Sequence, residues 1–462
     1  MPRKRKAAEN QRELAFMDAG RGEAPSPFMG GHEPQTVAIR NESPADDEHL
    51  MEEVCKRENL KEAYARVVSN KGSPGVDGMT VQRLGKYLRK HWPTIREQLL
   101  KGTYQPKPVR RVEIPKPDGG VRKLGIPTVI DRLIQQAMMQ VLQLRWDPTF
   151  SNQSYGFRPG RSQRGAVSQA QTYIREGYRV VVDLDLEKFF DRVNHDILMD
   201  LVAKREADKR VLKVIRAFLT AGIFENGLIS PSDEGTPQGG PLSPLLSNLM
   251  LDVMDRELEK RQLRFVRYAD DCNLYVRSVR AGERIKANLT RFLAKRLRLT
   301  VNETKSAVDK PSRRKFLGFT FTDDEDPKRT IAPKPLEKFK LRIRELTRAS
   351  RGVNFDRRIP EIRRYLVGWV AYFGFCETPK VLQRLAGWIR RRLRCLLWRQ
   401  WKTQKNRFAE LRRRGVNLKW ARNTAASNRG PWHLSATKAL TVALPNVFFS
   451  SLGLSSLEQA TA

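Results

Sequence analysis

The sequence is poor in residues that staple or coordinate. Its four cysteines, at positions 55, 272, 376 and 395, are too scattered for a disulfide framework. The histidines number only five and add no zinc-ligand spacing. Long apolar runs are missing as well. No stretch approaches the length of a membrane span, and no apolar core follows the basic start Pro2-Arg-Lys-Arg-Lys6, so neither a membrane protein nor a signal peptide is expected. Acidic residues are the minority, 51 against 87 Lys and Arg, which leaves a formal charge of +36. Such an imbalance says little about fold. It points to a polyanionic partner, nucleic acid ahead of an anionic membrane. A reducing cytoplasm is the expected compartment.

What is present supports a folded chain. Hydrophobic residues make up 40% of 462, enough for a sizeable core in two to four domains. Residues 1–48 are the exception: polar, rich in Gly, Pro, Glu and Ala, without periodicity, and expected to be a disordered tail. The most informative stretch is Phe265-Val-Arg-Tyr-Ala-Asp-Asp-Cys-Asn-Leu-Tyr-Val276. Apolar and aromatic residues flank a tight polar centre, which predicts a β-hairpin with Asp270 and Asp271 at its tip. Two adjacent carboxylates on a tight turn repel each other, and a divalent metal is one reason to tolerate them. A second stretch, Tyr178 to Asp191, begins as a very apolar strand. Alternation puts Asp183 and Asp185 on one face of it, so periodicity alone leaves either as the third carboxylate.

These stretches together resemble the reverse transcriptases. Tyr268-Ala-Asp-Asp271 is similar to their palm hairpin and Asp185-Leu-Glu-Lys-Phe-Phe190 to their first catalytic strand. Gly235-Thr-Pro-Gln-Gly-Gly-Pro-Leu-Ser-Pro244 resembles the intervening block in the form used by group II intron reverse transcriptases, the maturases. The likeness runs from about Asn59 to Leu457. It implies an α+β right-hand polymerase fold with fingers and palm, followed by an α-helical thumb/maturase domain. The expected divisions are 1–48 tail, 49–177 N-terminal helices and fingers, 178–330 palm, 331–415 thumb/maturase domain, and 416–462 an extension binding RNA or DNA.

The resemblance also implies roles. The family pattern selects Asp185, with Asp270 and Asp271, to hold two Mg2+ ions. It makes Phe190 a steric gate favouring deoxynucleoside triphosphates. Lys116 and Arg122, on a fingers hairpin, would cover the triphosphate. Gln238 would lie near template and nucleotide, and Lys305 near the leaving pyrophosphate. Arg158 and Arg161 in Ser154-Tyr-Gly-Phe-Arg-Pro-Gly-Arg-Ser162 would grip template backbone, with Tyr155 and Phe157 packing or stacking. Gly318 in Lys315-Phe-Leu-Gly-Phe319 would let the backbone lie close to the primer end. His195, beside Asn194, reads as a helix start with no catalytic role.

The C-terminal third carries the partner information. Residues 331–430 hold 27 Lys and Arg against 6 acids, with apolar residues recurring at helical spacing. A three-helix thumb centred on 331–400 is expected. Arg390, Arg391, Arg392 and Arg394, and Arg412, Arg413 and Arg414, are its RNA-backbone candidates. Gly368-Trp-Val-Ala-Tyr-Phe373 resembles the intron maturase domain. Some relatives continue into a Cys- and His-bearing HNH endonuclease. Here His433 is the last histidine and no cysteine follows Cys395, so that module is expected to be absent. The implied partners are group II intron RNA, an RNA template with a DNA or RNA primer, and target DNA, in a bacterial cytoplasm. Competing readings are a retron, diversity-generating or defence-associated reverse transcriptase, a splicing-only RNA-binding maturase, and an RNA-dependent RNA polymerase, which Phe190 disfavours. Oligomeric state is not legible.

Overall fold

The computed structural model describes residues 49–462 apart from 116–119, 226–227, 232–233, 237–238, 349–351, 455–456 and 458–462. The tail 1–48, Lys116 and Gln238 therefore lie outside the described residues. The chain forms two compact units that divide after Lys310.

The first unit begins with helices α1 (Leu50–Val54), α2 (Arg57–Ser69) and α3 (Leu84–Lys101), followed by the hairpin β1 (Val109–Pro115) and β2 (Val121–Ile126). Helix α4 (Val129–Trp146) then runs through the core and buries most of its surface. Its buried amides are satisfied in place: Gln140 donates to the Asn59 side chain at 2.6 Å, and Asn59 donates to the Ala137 carbonyl at 3.0 Å. Next come α5 (Gln163–Arg175), β3 (Val180–Leu184), α6 (His195–Ala203), α7 (Lys209–Thr220) and the short hairpin β4 (Ile223–Glu225) and β5 (Leu228–Ser230). The unit closes with α8 (Ser243–Lys260), β6 (Arg264–Tyr268), β7 (Asp271–Val276), α9 (Val279–Leu297) and β8 (Ala307–Asp309).

Two sheets result. The fingers sheet has the order β2-β1-β4-β5, with β1 antiparallel to β2 and parallel to β4. The palm sheet is antiparallel in the order β6-β7-β3-β8. Its centre is apolar on both faces: Val180, Val181 and Val182 are all buried, and β-branched residues suit a strand covered on both sides. Helices α5 and α9 pack against this sheet. Asn194 caps α6 by accepting from the Ile197 amide, and buried His195 contacts the Gly235 carbonyl oxygen through Nε2 at 2.6 Å. The expected helix start is there, and His195 serves packing.

The second unit opens with β9 (Phe319–Phe321) and β10 (Arg329–Ile331), then α10 (Pro333–Leu346), α11 (Phe355–Phe373) and α12 (Pro379–Gln400). These are the three expected helices. Phe339, Ile362, Leu366, Leu382, Leu385, Ile389 and Leu393 form their core. Shorter helices follow: α13 (Gln404–Arg413), α14 (Leu418–Ala425), α15 (Pro431–Leu434), α16 (Lys438–Ala443) and α17 (Asn446–Ser451). Leu434, Leu440, Leu444 and Phe449 enter the same core, so residues 416–454 are continuous with the helices before them. Among the described residues no helix is long and apolar enough to cross a membrane.

One ion cluster ties the first helix down. Arg210 donates to both Glu52 oxygens at 2.7 Å and to both Asp208 oxygens at 3.0 and 2.8 Å, while Asp208 accepts from the Met51 amide at 3.0 Å. Burial works against the Asp208 carboxylate, but Arg210 and the amide donors outweigh it and hold its pKa below the usual range. The Arg210 bond depresses Glu52 likewise. Carboxylates depressed in the folded state stabilise it above their unfolded pKa and lose that contribution as pH falls through the folded value. Arg210→Met is expected to cost about 2 kcal/mol at neutral pH. In urea unfolding the difference should shrink below the ordinary carboxylate range; an equal loss at both pH values would exclude this role.

Candidate active site

The palm sheet brings the predicted carboxylates to one end. Strands β6 and β7 pair from Arg264↔Tyr275 to Tyr268↔Asp271, leaving Ala269 and Asp270 as a two-residue turn. Ala269 carries φ +56°, the left-handed conformation that such a turn demands at one position. Strand β3 pairs with β7 through Leu184↔Cys272, and the next step of that register brings Asp185 level with Asp271. Asp185 lies just past the end of β3. Its amide donates to Ser306 Oγ at 3.0 Å and its carbonyl accepts from the Asn302 amide at 2.8 Å, so the 302–306 loop fixes its backbone.

Asp183 is placed differently. It sits inside the sheet, paired with Asn273 on β7 and Ala307 on β8. With its amide turned to donate, Asn273 reaches Asp183 Oδ1 at 3.1 Å. Mid-sheet bonding gives Asp183 a structural partner, while Asp185 stands at the rim.

The local charges converge. Burial pushes the Asp270 pKa above the ordinary carboxylate value; the neighbouring charge of Asp185 raises it further, and Arg122 on β2 opposes the shift. Lys305 Nζ lies 4.0 Å from Asp185 Oδ1 with most of its side chain exposed. Asp271 is exposed. Phe190 is half-buried and meets buried Phe189 edge-on, with ring centroids 5.2 Å apart.

Among the described residues no group of three His, Cys, Asp or Glu side chains is placed to hold a metal ion. The donor set nevertheless suits a hard divalent cation. Its members are carboxylates alone, and half-buried Asp270 lies beside a like charge. Mg2+ characteristically takes one or two carboxylates and completes its shell with water and substrate phosphates.

Other predicted residues fall elsewhere. Arg161 donates to the carbonyl and side chain of Asn152 at 2.8 and 2.7 Å, and its guanidinium lies 5.5 Å from the half-buried Tyr155 ring. Phe157 is exposed with φ +59°. Arg158 corrects the template-gripping expectation. It is 6% exposed, and its guanidinium donates to the Asp147 carboxylate and to the carbonyls of Asp147, Ser151 and Ser154. Those bonds leave it no surface for a phosphate.

In the second unit, Gly318 has φ +82°, and a Cβ there would come within 3.1 Å of the Phe373 ring. Arg394 corrects a second expectation: it is 8% exposed and donates to the Leu444 carbonyl at 3.0 Å. Its neighbours remain nearer the surface. Arg391 stacks 4.1 Å from the Trp432 ring, Arg392 donates to Thr347 Oγ1 at 2.8 Å, and Arg390 is half-buried. Arg412 donates to the Val416 carbonyl at 2.8 Å, and Arg413 and Arg414 pair with Glu410 at 2.8 and 3.3 Å. Sequence reasoning missed Ser306 and Asn302 around Asp185, and Arg267, Asn248 and Asp255 behind the hairpin. The signal for Arg267 was a charge placed between the apolar residues Phe265 and Val266 and the aromatic Tyr268.

A carboxylate pair at a hairpin turn, beside a third beyond the adjacent strand of a helix-backed antiparallel sheet, is the arrangement expected at the palm of a template-directed polymerase. Residues 114–321 match the family described as reverse transcriptase (RNA-dependent DNA polymerase), and residues 336–415 match the group II intron maturase-specific domain. The chain is therefore similar to reverse transcriptases over one segment and to group II intron maturase domains over the segment that follows. It is 39% identical over 222 residues to Protein YkfC of Escherichia coli K12, covering 47% of this chain and 58% of that protein. It is 37% identical over 215 residues to the group II intron-encoded protein LtrA of Lactococcus lactis, covering 44% of this chain and 34% of that protein. These matches span from about a third to somewhat over half of the relatives' own length. A chain of the solved partial Cas6-RT-Cas1--Cas2 complex is 23% identical with a TM-score of 0.35, covering 57% of this chain and 45% of that one.

Asp270→Asn removes a half-buried negative charge beside Asp185. The metal-free variant is expected to melt above the parent, because burial and like charge both disfavour the carboxylate. Magnesium chloride should then raise its melting temperature less than the parent's. A metal-free variant that melts lower would show that local bonds outweigh the cost of burying the charge.

Proposed function

We propose that this chain is an RNA-directed DNA polymerase that also binds its host group II intron RNA and assists splicing and mobility. The carrying observation is the convergence of Asp185, Asp270 and Asp271 at one rim of the palm sheet, in a chain whose reverse transcriptase domain is followed by a maturase-specific domain.

In the proposed reaction the primer 3′-hydroxyl attacks the α-phosphate of a deoxynucleoside triphosphate and pyrophosphate leaves. Asp185, Asp270 and Asp271 supply the anionic oxygens that hold two Mg2+ ions. When bound, these ions lower the pKa of the attacking hydroxyl and stabilise the leaving oxygen. Arg122 and Lys305 flank the carboxylates with positive charge, where they orient the triphosphate and offset charge on the departing pyrophosphate. Phe190 narrows the sugar site against a 2′-hydroxyl. Lys116 and Gln238 are assigned to triphosphate and template by motif resemblance. Arg161 is assigned to the template and Gly318 to the primer end. In the second unit Arg390, Arg391, Arg392, Arg412, Arg413 and Arg414 are assigned to RNA backbone, with target DNA a further partner. Splicing assistance needs RNA binding only, since the intron ribozyme supplies that chemistry. The bacterial relatives favour a bacterial cytoplasm as the setting.

Primer extension on an RNA template tests the polymerase. Asp185→Asn should lower turnover about 10³-fold, the scale for losing one charge-stabilising group. Asp183→Asn should retain most activity. Full activity in Asp185→Asn would overturn the assignment. Phe190→Ala should raise ribonucleotide relative to deoxynucleotide incorporation about tenfold or more; an unchanged ratio would remove the gate. Splicing of the copurifying RNA at low magnesium separates the second activity. Asp270→Asn should stimulate it as the parent does, and enrichment of a short non-intron RNA instead would exclude the maturase role.

A further inference from the structure

The catalytic turn is held from behind by buried polar groups that the chemistry does not use. Arg267 on β6 and Asp255 on α8 are both fully buried, at 0% exposure. Arg267 Nε donates to Asp255 Oδ1 and Oδ2 at 2.8 and 3.0 Å, and Nη2 donates to Oδ2 at 2.5 Å. Its remaining nitrogen, Nη1, donates to the Ala269 carbonyl at 3.0 Å and to Asn248 Oδ1 at 3.0 Å. Ala269 is the left-handed residue of the turn, a conformation a side chain disfavours and the surroundings must enforce.

Asn248 carries the connection further. Its Nδ2 donates to the Gly156 carbonyl at 2.8 Å. The segment from Gln153 to Gly156 runs beside β6: the Arg267 amide donates to the Gln153 carbonyl at 2.9 Å, and the Tyr155 amide donates to the Arg267 carbonyl at 2.8 Å. At its end Gly156 presses on the turn. A Cβ there would fall inside contact distance of the Ala269 amide nitrogen, 3.0 Å from the Tyr268 carbonyl carbon and 3.1 Å from Ala269 Cα. All three are backbone atoms and cannot rotate aside. Gly156 is not among the residues with positive φ, so close approach, not conformation, requires the glycine.

We infer that Arg267, Asn248 and Gly156 form a positioning clamp that sets the height and orientation of the Ala269–Asp270 turn, and through it the carboxylates of Asp270 and Asp271. None of the three touches substrate; each acts through the turn. The inference rests on reading Asp270 and Asp271 as the polymerase carboxylates.

Gly156→Ala is the direct test, because it displaces the turn without removing a charge. Primer extension should lose about 10²-fold in kcat, the scale of a misplacement near 1 Å. The nucleotide KM should stay within about threefold, since ground-state binding is untouched. The Mg2+ concentration for half-maximal extension should rise. Adding Ala269→Gly should recover part of the lost rate, because glycine lets the turn re-form around the new methyl group. Tyr104→Phe, which removes a buried bond to Asp131 at 2.8 Å, serves as the control. It should lower the melting temperature and leave the Mg2+ dependence unchanged. Should Gly156→Ala not fold, Asn248→Ala carries the same expectation. Wild-type kcat and Mg2+ dependence in whichever variant folds would overturn the clamp. Normal extension by Asp270→Asn would instead overturn the reading of the site and the clamp with it. An inactive Asp270→Asn beside a fully active Gly156→Ala would remove the clamp alone.

Discussion

Like charge held at the rim of an apolar sheet is the constraint on which this structure depends. Asp270 is half-buried, and Asp185 adds its negative charge to the same neighbourhood. Left alone, carboxylates so placed would spread apart or take up protons. The chain prevents spreading by fixing their backbones. Asp271 is locked into the β6–β7 ladder, Asp185 is bound on both sides by the 302–306 loop, and Asp270 sits in a two-residue turn. Electrostatic strain is thereby held by hydrogen bonds and packing that lie outside the reaction itself. The apolar strand Val180-Val181-Val182 supplies the rigid base.

Much of this was legible in sequence because it rests on local patterns. Apolar and aromatic residues on both sides of Asp270 and Asp271 marked the hairpin, and its two-residue turn falls in the polar centre. The apolar run before Asp185 marked the central strand. Helical spacing through Phe339, Ile362 and Leu385 marked three helices of the second unit, and α10, α11 and α12 follow it. The choice between Asp183 and Asp185 was not legible from period alone, since both occupy one face. The distinction is tertiary: Asp183 has neighbouring strands on both sides, whereas Asp185 extends beyond the ladder.

Arginine is where sequence reading fails, and the reason is physical. A guanidinium offers five donors in a rigid fork, equally able to bind phosphate oxygens or backbone carbonyls. Arg158 binds three carbonyls and a carboxylate near α5. Arg358, only 2% exposed, donates to the carbonyls of Val353, Leu346 and Arg348, and so closes the C-terminal end of α10. Arg394 serves the Leu444 carbonyl. In a basic chain all three look like nucleic-acid ligands. Burial alone separates them from Arg391 or Arg413, and burial depends on contacts that composition does not contain.

The same distinction changes what the charge surplus means. Each arginine that satisfies internal carbonyls still contributes its positive charge to the field around the molecule, because a carbonyl carries no compensating unit charge. Arg267 differs, since Asp255 neutralises it in place. Buried arginines such as Arg394 therefore act twice. They hold backbone ends together inside the second unit, and they add to the long-range attraction that draws a polyanion toward it. Replacing a carbonyl-bound arginine removes both effects at once, so loss of nucleic-acid affinity in such a variant would not by itself locate a contact. Only the members of the basic stretches that reach the surface can make direct phosphate bonds, and those bonds, not the total charge, fix where a polyanion lies.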